Sequence, residues 1–285
     1  MPETGGFLYV VATPLGNLQD LSPRAREILA AVDVVLCEDT RHTGHLLSAL
    51  GIATPRRSLH EHNEAARVPE IVAGLRQGRR YALVSDAGTP LVSDPGYRLL
   101  AEARAEGLNV SPIPGPCAPV AALSVAGLPT DRFIFEGFLP AKRAARRTRL
   151  DELAEEPRTL IFFETGRRIG AALEDLAAIF GSDRPATIAR ELTKAYESVY
   201  RGSLAELGQR VKVDPDAVRG EIVLVVEGAA TGGAAGGPEL GRVLRTLLEE
   251  LPPSQAARLA AKLTGAKRRD AYDVARRLAG DEESD

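Results

Sequence analysis

Tryptophan is absent from this 285-residue chain, methionine occurs once, and cysteine occurs only at Cys37 and Cys117. Two distant cysteines make no disulfide framework and suit a reducing cytosol. No apolar run approaches the roughly 18 residues of a membrane span. The opening segment MPETGGFLYVVATPLG has no basic stretch ahead of its apolar residues, so a secretory signal is not expected and a cytoplasmic location is. Phosphate-cradling motifs are missing too. Neither GxxxxGK(S/T) nor GxGxxG stands between a strand and a helix, which removes the usual apparatus for nucleoside triphosphates and dinucleotides.

What is present is an ordinary globular composition, 44% hydrophobic and 26% charged, with a formal charge of −3. Over the first 128 residues, short apolar runs alternate with amphipathic stretches. FLYVVA (7–12), DVVLCE (33–38), RRSLH (56–60), RYALVS and NVSPIP read as strands. Between them lie helical patterns: PRAREILAAV capped by Ser22, TGHLLSAL (43–50), EAARVPEIVAGLRQG with an interruption at Pro69, GYRLLAEARAEG, and the alanine-rich CAPVAALSVAGL. Such alternation predicts βαβ units and a mainly parallel sheet.

A second α/β domain is expected over 129–228. FIFEGFLP, RTLIFFE, ATIARELT, SVYRG and GEIVLVVEG read as its strands, some of them antiparallel, with helices near 141–155, 166–180 and 203–212. Residues 229–238 read as a flexible glycine/alanine linker. A small helical module over 239–285 follows, with helices near 239–250, 254–263 and 267–279 and an acidic tail, DEESD.

Parallel sheets bind ligands beyond the carboxyl ends of their strands. Two such loops here are TPLGNLQD (13–20) and SDAGTPLVSDPG (85–96). Both are rich in turn formers and carry carboxylates, with no lysine or arginine. Asp20 and Asp86 favour a ligand with hydroxyls, an amino group or a cationic centre, a profile that fits S-adenosylmethionine better than NAD or ATP. Turn chemistry alone also accounts for these residue types.

Seven motifs then occur in order: VATPLGNLQDLSPRA, CEDTRHTGHLL, HEHNE, LVSDAGTPLVSDPGYRLL, IPGPCAPVAALSVAGLPTDRFIFEGFLP, FFETGRRI and ARELTKAYESVYRGSL. Together they resemble the ribosomal RNA small subunit methyltransferase I family, of the tetrapyrrole-methylase-like class. The resemblance covers roughly Phe7 to Gly228, and the C-terminal piece matches that family's helix-turn-helix extension. It implies two α/β domains with a donor cleft between them and a homodimer. It further implies transfer of a methyl from S-adenosylmethionine to the ribose 2′-hydroxyl of a cytidine in the decoding region of 16S rRNA, within the 30S subunit. By the same resemblance Leu15, Gly16, Asp86, Gly88, Thr89, Cys117, Ala118 and Phe163 would line the donor pocket.

Catalytic candidates come from strand-end loops. The four histidines, His42, His45, His60 and His62, share one window, but with Cys37 as the sole thiolate nearby they lack a zinc spacing, and no metal is expected. Glu38, Asp39, Arg41, His60, Glu61 and Asn63 are instead expected to face the cleft, with Glu191, Lys194 and Glu197 opposite. Caps and loop salt bridges explain the same residues equally well. Two basic clusters are expected to meet RNA. Lys142, Arg143, Arg146, Arg147 and Arg149 have no acid among them, and their i,i+4 pairs would put repelling charges on one helix face. Lys262, Lys267, Arg268 and Arg269 lie in the module. Two other readings stay open: a same-fold methyltransferase acting on a tetrapyrrole or a modified protein histidine, and a non-catalytic ribosome-assembly factor.

Overall fold

The computed structural model describes residues 5–214, 216–230 and 238–281. The first sheet contains β1 (Phe7–Val11), β2 (Val34–Cys37), β3 (Arg56–Ser58), β4 (Arg80–Leu83) and β5 (Asn109–Ile113). Its order is β3-β2-β4-β1-β5 and every pairing is parallel. The strands are connected by α1 (Pro23–Ala31), α2 (Thr40–Ala49), α3 (Glu64–Arg76) and α4 (Tyr97–Ala105), and α5 (Ala118–Ala126) follows β5. A strand buried on both faces needs a continuous apolar run, and β2 is one, VVLC with all four residues buried. Ser22 caps α1 by accepting from the Ala25 amide, with Pro23 in the first turn, as its sequence predicts.

Pro69 does not interrupt α3, which runs continuously from Glu64 to Arg76. Pro69 and Ala65 both sit on the exposed side, where water can take up the carbonyl that the proline leaves unpaired. The buried Glu64 carboxylate accepts the Leu99 amide at 3.1 Å, tying the start of α3 to the first turn of α4.

The second sheet holds β6 (Phe133–Phe138), β7 (Thr159–Thr165), β8 (Pro185–Arg190), β9 (Ser198–Ser203) and β10 (Glu221–Val226), in the order β6-β7-β10-β8-β9. Only the β6–β7 pairing is parallel; the other three are antiparallel. Helices α6 (Arg143–Leu153), α7 (Gly166–Phe180) and α8 (Leu204–Val213) belong to this half of the chain. Buried Ala122, Leu123 and Ala126 of α5 pack on Ile161, Ala189, Val223 and Val225, so α5 joins the first sheet's connection to the second sheet's core.

Among the described residues, those up to 150 together with 159–227 form one compact unit that holds both sheets, and 151–158 with those from 228 onward form another. In the second unit, α9 (Pro238–Leu248), α10 (Pro253–Thr264) and α11 (Arg268–Asp281) enclose a core of Leu240, Leu244, Ala256, Ala257, Ala260, Ala271 and Ala275. Gly265, at φ 71°, makes the left-handed turn between α10 and α11. Residues 231–237 of the expected linker, and 282–285 of the expected acidic tail, lie outside the described residues. No described helix is long and apolar enough to cross a membrane.

Candidate functional site

The loops after β1 and β4 meet because those strands are neighbours. Thr13 and Gly88 form an isolated antiparallel bridge, with Thr13 N–H donating to Gly88 O at 2.8 Å and Gly88 N–H returning to Thr13 O at 3.1 Å. Side chains brace the junction. Thr13 Oγ1 donates to Ser85 O at 3.2 Å, Ser85 Oγ to Gly88 O at 3.2 Å, and Thr89 Oγ1 to Pro116 O at 2.9 Å. Gly88 has φ 84°, the left-handed conformation a side chain would resist. Thr13, Ser85 and Thr89 therefore satisfy backbone carbonyls, and Asp86 accepts the Asp39 amide at 3.3 Å.

A cavity of about 310 Å³ opens over this junction. Its first wall is Leu15, Glu38, Asp86, Gly88, Thr89, Val92, Ser93 and Asp94, with Cys117 and Ala118 at the start of α5. The facing wall comes from the second sheet: Phe138, Phe163, Glu164, Thr165, Ala189, Leu192, Glu221 and Val223. Phe163 is set edge-on between Phe135 and Phe138, with ring centroids 4.9 and 5.5 Å away. Among the described lining residues Glu38, Asp86, Asp94, Glu164 and Glu221 are carboxylates, and none is Lys, Arg or His. Burial, and after it the charge of Glu38, pushes the Asp94 carboxyl up to about 6. Burial also raises Glu164, although Arg168 Nε stands 3.1 Å away.

The backbone is strained where it borders this space. Leu91 and Ser93 have φ of 75° and 68°, and across the cleft Glu191 and Thr193 have 51° and 64°. A second cavity, of about 550 Å³, lies beside the first and shares Leu15, Asp86, Ala87 and Glu221 with it. Its other lining residues include Gly16, Leu18, His42, His45, Leu46 and Lys194. Lys194 crosses from the strained 191–197 segment: a Cβ on Gly16 would lie 2.1 Å from Lys194 Cγ, so only glycine admits this contact. The Lys194 ammonium is held by Glu191 Oε1 at 2.8 Å and Glu221 Oε2 at 3.1 Å.

Residues 8–208 match the family model of tetrapyrrole (corrin/porphyrin) methylases, and 234–279 match the RsmI C-terminal HTH domain. Proteins called ribosomal RNA small subunit methyltransferase I are similar over 95% of this chain. That of Xylella fastidiosa (strain Temecula1) is 55% identical, with 99% of its own length covered. The Pseudomonas aeruginosa protein is 50% identical with 97% covered, and that of Escherichia coli O157:H7 is 48% identical with 94% covered. The chain belongs to the ribosomal RNA small subunit methyltransferase I family. Among solved structures, the methyltransferase CobJ matches with a TM-score of 0.59 at 20% identity, over 80% of this chain and 96% of that one. A Thermus thermophilus uroporphyrin-III C-methyltransferase complexed with S-adenosylhomocysteine matches with a TM-score of 0.54 at 19% identity, over 78% and 97%. These distant neighbours share the tetrapyrrole-methylase fold.

Within this family member, the residues expected at the donor pocket fall together. Leu15, Asp86, Gly88, Thr89, Cys117, Ala118 and Phe163 line the first cavity and Gly16 the second. Cys117 occupies the N-cap of α5 without a side-chain capping bond. The catalytic candidates divide. Glu38 borders the first cavity and Lys194 the second, whereas Asp39, Arg41, His60, Glu61 and Glu191 line neither. Asp39 instead caps α2 through the Arg41 amide at 2.7 Å and pairs with the Arg41 side chain at 2.9 Å. Asn63 Oδ1 accepts the His60 amide at 2.9 Å, closing the turn before α3. Asp20, in a 3-10 turn, lines neither cavity. Asp94 escaped the sequence reading; its only signal was a second Asp in the same glycine/proline-rich loop.

The first basic cluster needs correction. Arg146 does not share an exposed face with its neighbours: its side chain is 6% exposed and lies 2.7 Å from Asp175, itself 1% exposed. Arg143 and Arg147 also reach Asp175, at 3.1 and 3.6 Å, and Arg149 pairs with Glu136 at 2.6 Å. The acids that pair with this run come from α7 and β6, distant in sequence. Lys142, Arg143 and Arg147 remain exposed, as do Lys262, Lys267, Arg268 and Arg269 at the α10–α11 turn.

Proposed function

We propose that this protein transfers a methyl group from S-adenosylmethionine to the ribose 2′-hydroxyl of a cytidine in the decoding region of small-subunit rRNA, working as a homodimer on the 30S subunit. The observation that carries this reading is the acid-walled cavity. A pocket lined by carboxylates without a basic side chain suits a cationic donor and repels polyphosphates. Family membership supports rRNA as the acceptor, since the relatives are named for it. The S-adenosylhomocysteine in a neighbour of the same fold supports the donor.

The donor supplies a sulfonium-bound methyl already activated for displacement. The chain must hold donor and hydroxyl in line and accept one proton. Alignment is worth up to about 7–11 kcal/mol, and falls to the two rigid walls: the Thr13–Gly88 bridge on one side and the Phe163 aromatic cluster on the other. Asp86 and Glu38 take the cationic and hydroxyl groups of the donor. Asp94, with its carboxyl raised to about 6, ionises near neutrality and would accept the hydroxyl proton as the O–C bond forms and the S–C bond breaks, S-adenosylhomocysteine leaving as a neutral thioether, a contribution of about 10²–10⁴-fold. Exposed Lys142, Arg143 and Arg147, with the basic turn of the C-terminal module, contact RNA phosphates. Tritium transfer from labelled S-adenosylmethionine to 30S particles from cells lacking the enzyme, followed by nucleoside mapping, tests the assignment. No label, or label on a base, would refute it.

A further inference from the structure

We infer that the second cavity is the acceptor subsite, receiving one nucleotide splayed out of the RNA, with His42 and His45 holding its backbone phosphate. This rests on the methyltransferase reading above and adds where the acceptor sits. The two cavities share Leu15, Asp86, Ala87 and Glu221, so ligands in both would meet at that wall. Their charges differ. The first cavity has five carboxylates and no basic side chain among its described lining, whereas the second, beside Asp86, Glu221 and the paired Lys194, brings in His42 and His45. A sulfonium belongs in the former and a nucleotide phosphate in the latter.

The residues present fit that occupant. His42 and His45 lie three apart on α2, so both imidazoles project from one helix face, and both are exposed. Each ring carries an N–H able to donate to a phosphate oxygen in either tautomer. Apolar surface for a base comes from Leu46 and from Leu18, which is 49% exposed. Lys194, neutralised by Glu191 and Glu221, serves as wall: its stem runs across Gly16 and closes the side toward the second sheet. The volume, about 550 Å³, is in the range of small-molecule sites. A methyl held inside a cleft is beyond the reach of a hydroxyl in paired RNA, so the acceptor nucleotide must leave its stack, as single-stranded RNA readily does.

The test is tritium transfer to 30S particles by the full-length protein, with KM for particles and kcat measured separately and the S-adenosylmethionine Kd read by calorimetry. His42→Ala with His45→Ala should raise the particle KM at least tenfold while the donor Kd stays within twofold. His45→Arg, which keeps a phosphate donor, should recover most of the loss, and His45→Glu should worsen it. Lys212→Ala, removing an exposed cation on α8 outside both cavities, reports the effect of bulk charge. An unchanged KM in the double variant, or an equal rise with Lys212→Ala, would overturn the subsite. If wild-type protein labels no particles, the methyltransferase reading itself fails; labelling by wild type with histidine-independent KM defeats only the subsite.

Discussion

Arg146 Nη2 lies 2.7 Å from Asp175 Oδ2, and both side chains are buried. Burial alone would raise the Asp175 carboxyl, but hydrogen bonds from Arg146 and Arg143 override it and hold the group below its usual value. Removing one member of such a pair strands the other. Arg146→Ala should cost about 3–5 kcal/mol in urea unfolding, while Arg147→Ala, at a half-exposed position, should cost under about 1 kcal/mol. Because the Asp175 carboxyl is depressed, its stabilisation is present above the unfolded value near 4 and is lost as pH falls through the folded value. The gap between wild type and Asp175→Asn should therefore close in acid.

Asp86 stands on the wall common to both cavities and accepts the Asp39 amide. Asp86→Ala should weaken S-adenosylmethionine binding by about 1.5–3 kcal/mol, the worth of a charged hydrogen bond. Calorimetry on folded variant protein decides it, and wild-type affinity would remove Asp86 from the donor site.

Asp94 gives a pH signature. Its folded value near 6 exceeds the unfolded value near 4, so the native state holds the extra proton between them and stability falls as pH rises through that window. Asp94→Asn should thus be more stable than wild type at pH 8, by about 1–2 kcal/mol after allowance for partial exposure, and equal to it at pH 3. Methyl transfer by wild type should rise through pH 6, and the variant should lose about 10²–10⁴-fold in kcat without that rise. A variant with wild-type kcat would exclude Asp94 as the base.

The three C-terminal helices have their own alanine/leucine core, and all residues assigned to the donor cavity precede α9. Ending the chain at Gly233 should leave donor binding intact. Particle methylation should fall most at limiting particle concentration, where a second RNA contact raises effective concentration. Full activity there would assign the unit a role other than RNA tethering.

The βαβ order, the acid-rich loops at strand ends and the basic clusters are legible along the chain, because periodicity, capping and turn chemistry are local, and seven ordered motifs carry the resemblance to the family. Ser22–Pro23 at the head of α1 is legible this way, and so are the glycine-rich turns. Tertiary structure decided which charges are free and which are spent. Asp175 lies 29 residues from Arg146 and Glu136 lies 13 from Arg149, so a run reading as unopposed positive charge meets two acids that its own window does not contain. Strand order put the β2 and β4 loops side by side, which made Glu38, Asp86 and Asp94 one wall and, with burial, lifted the Asp94 carboxyl. The second sheet then placed Lys194 across Gly16. Burial and long-range Coulomb interaction depend on distances in space, and no window along the chain contains them.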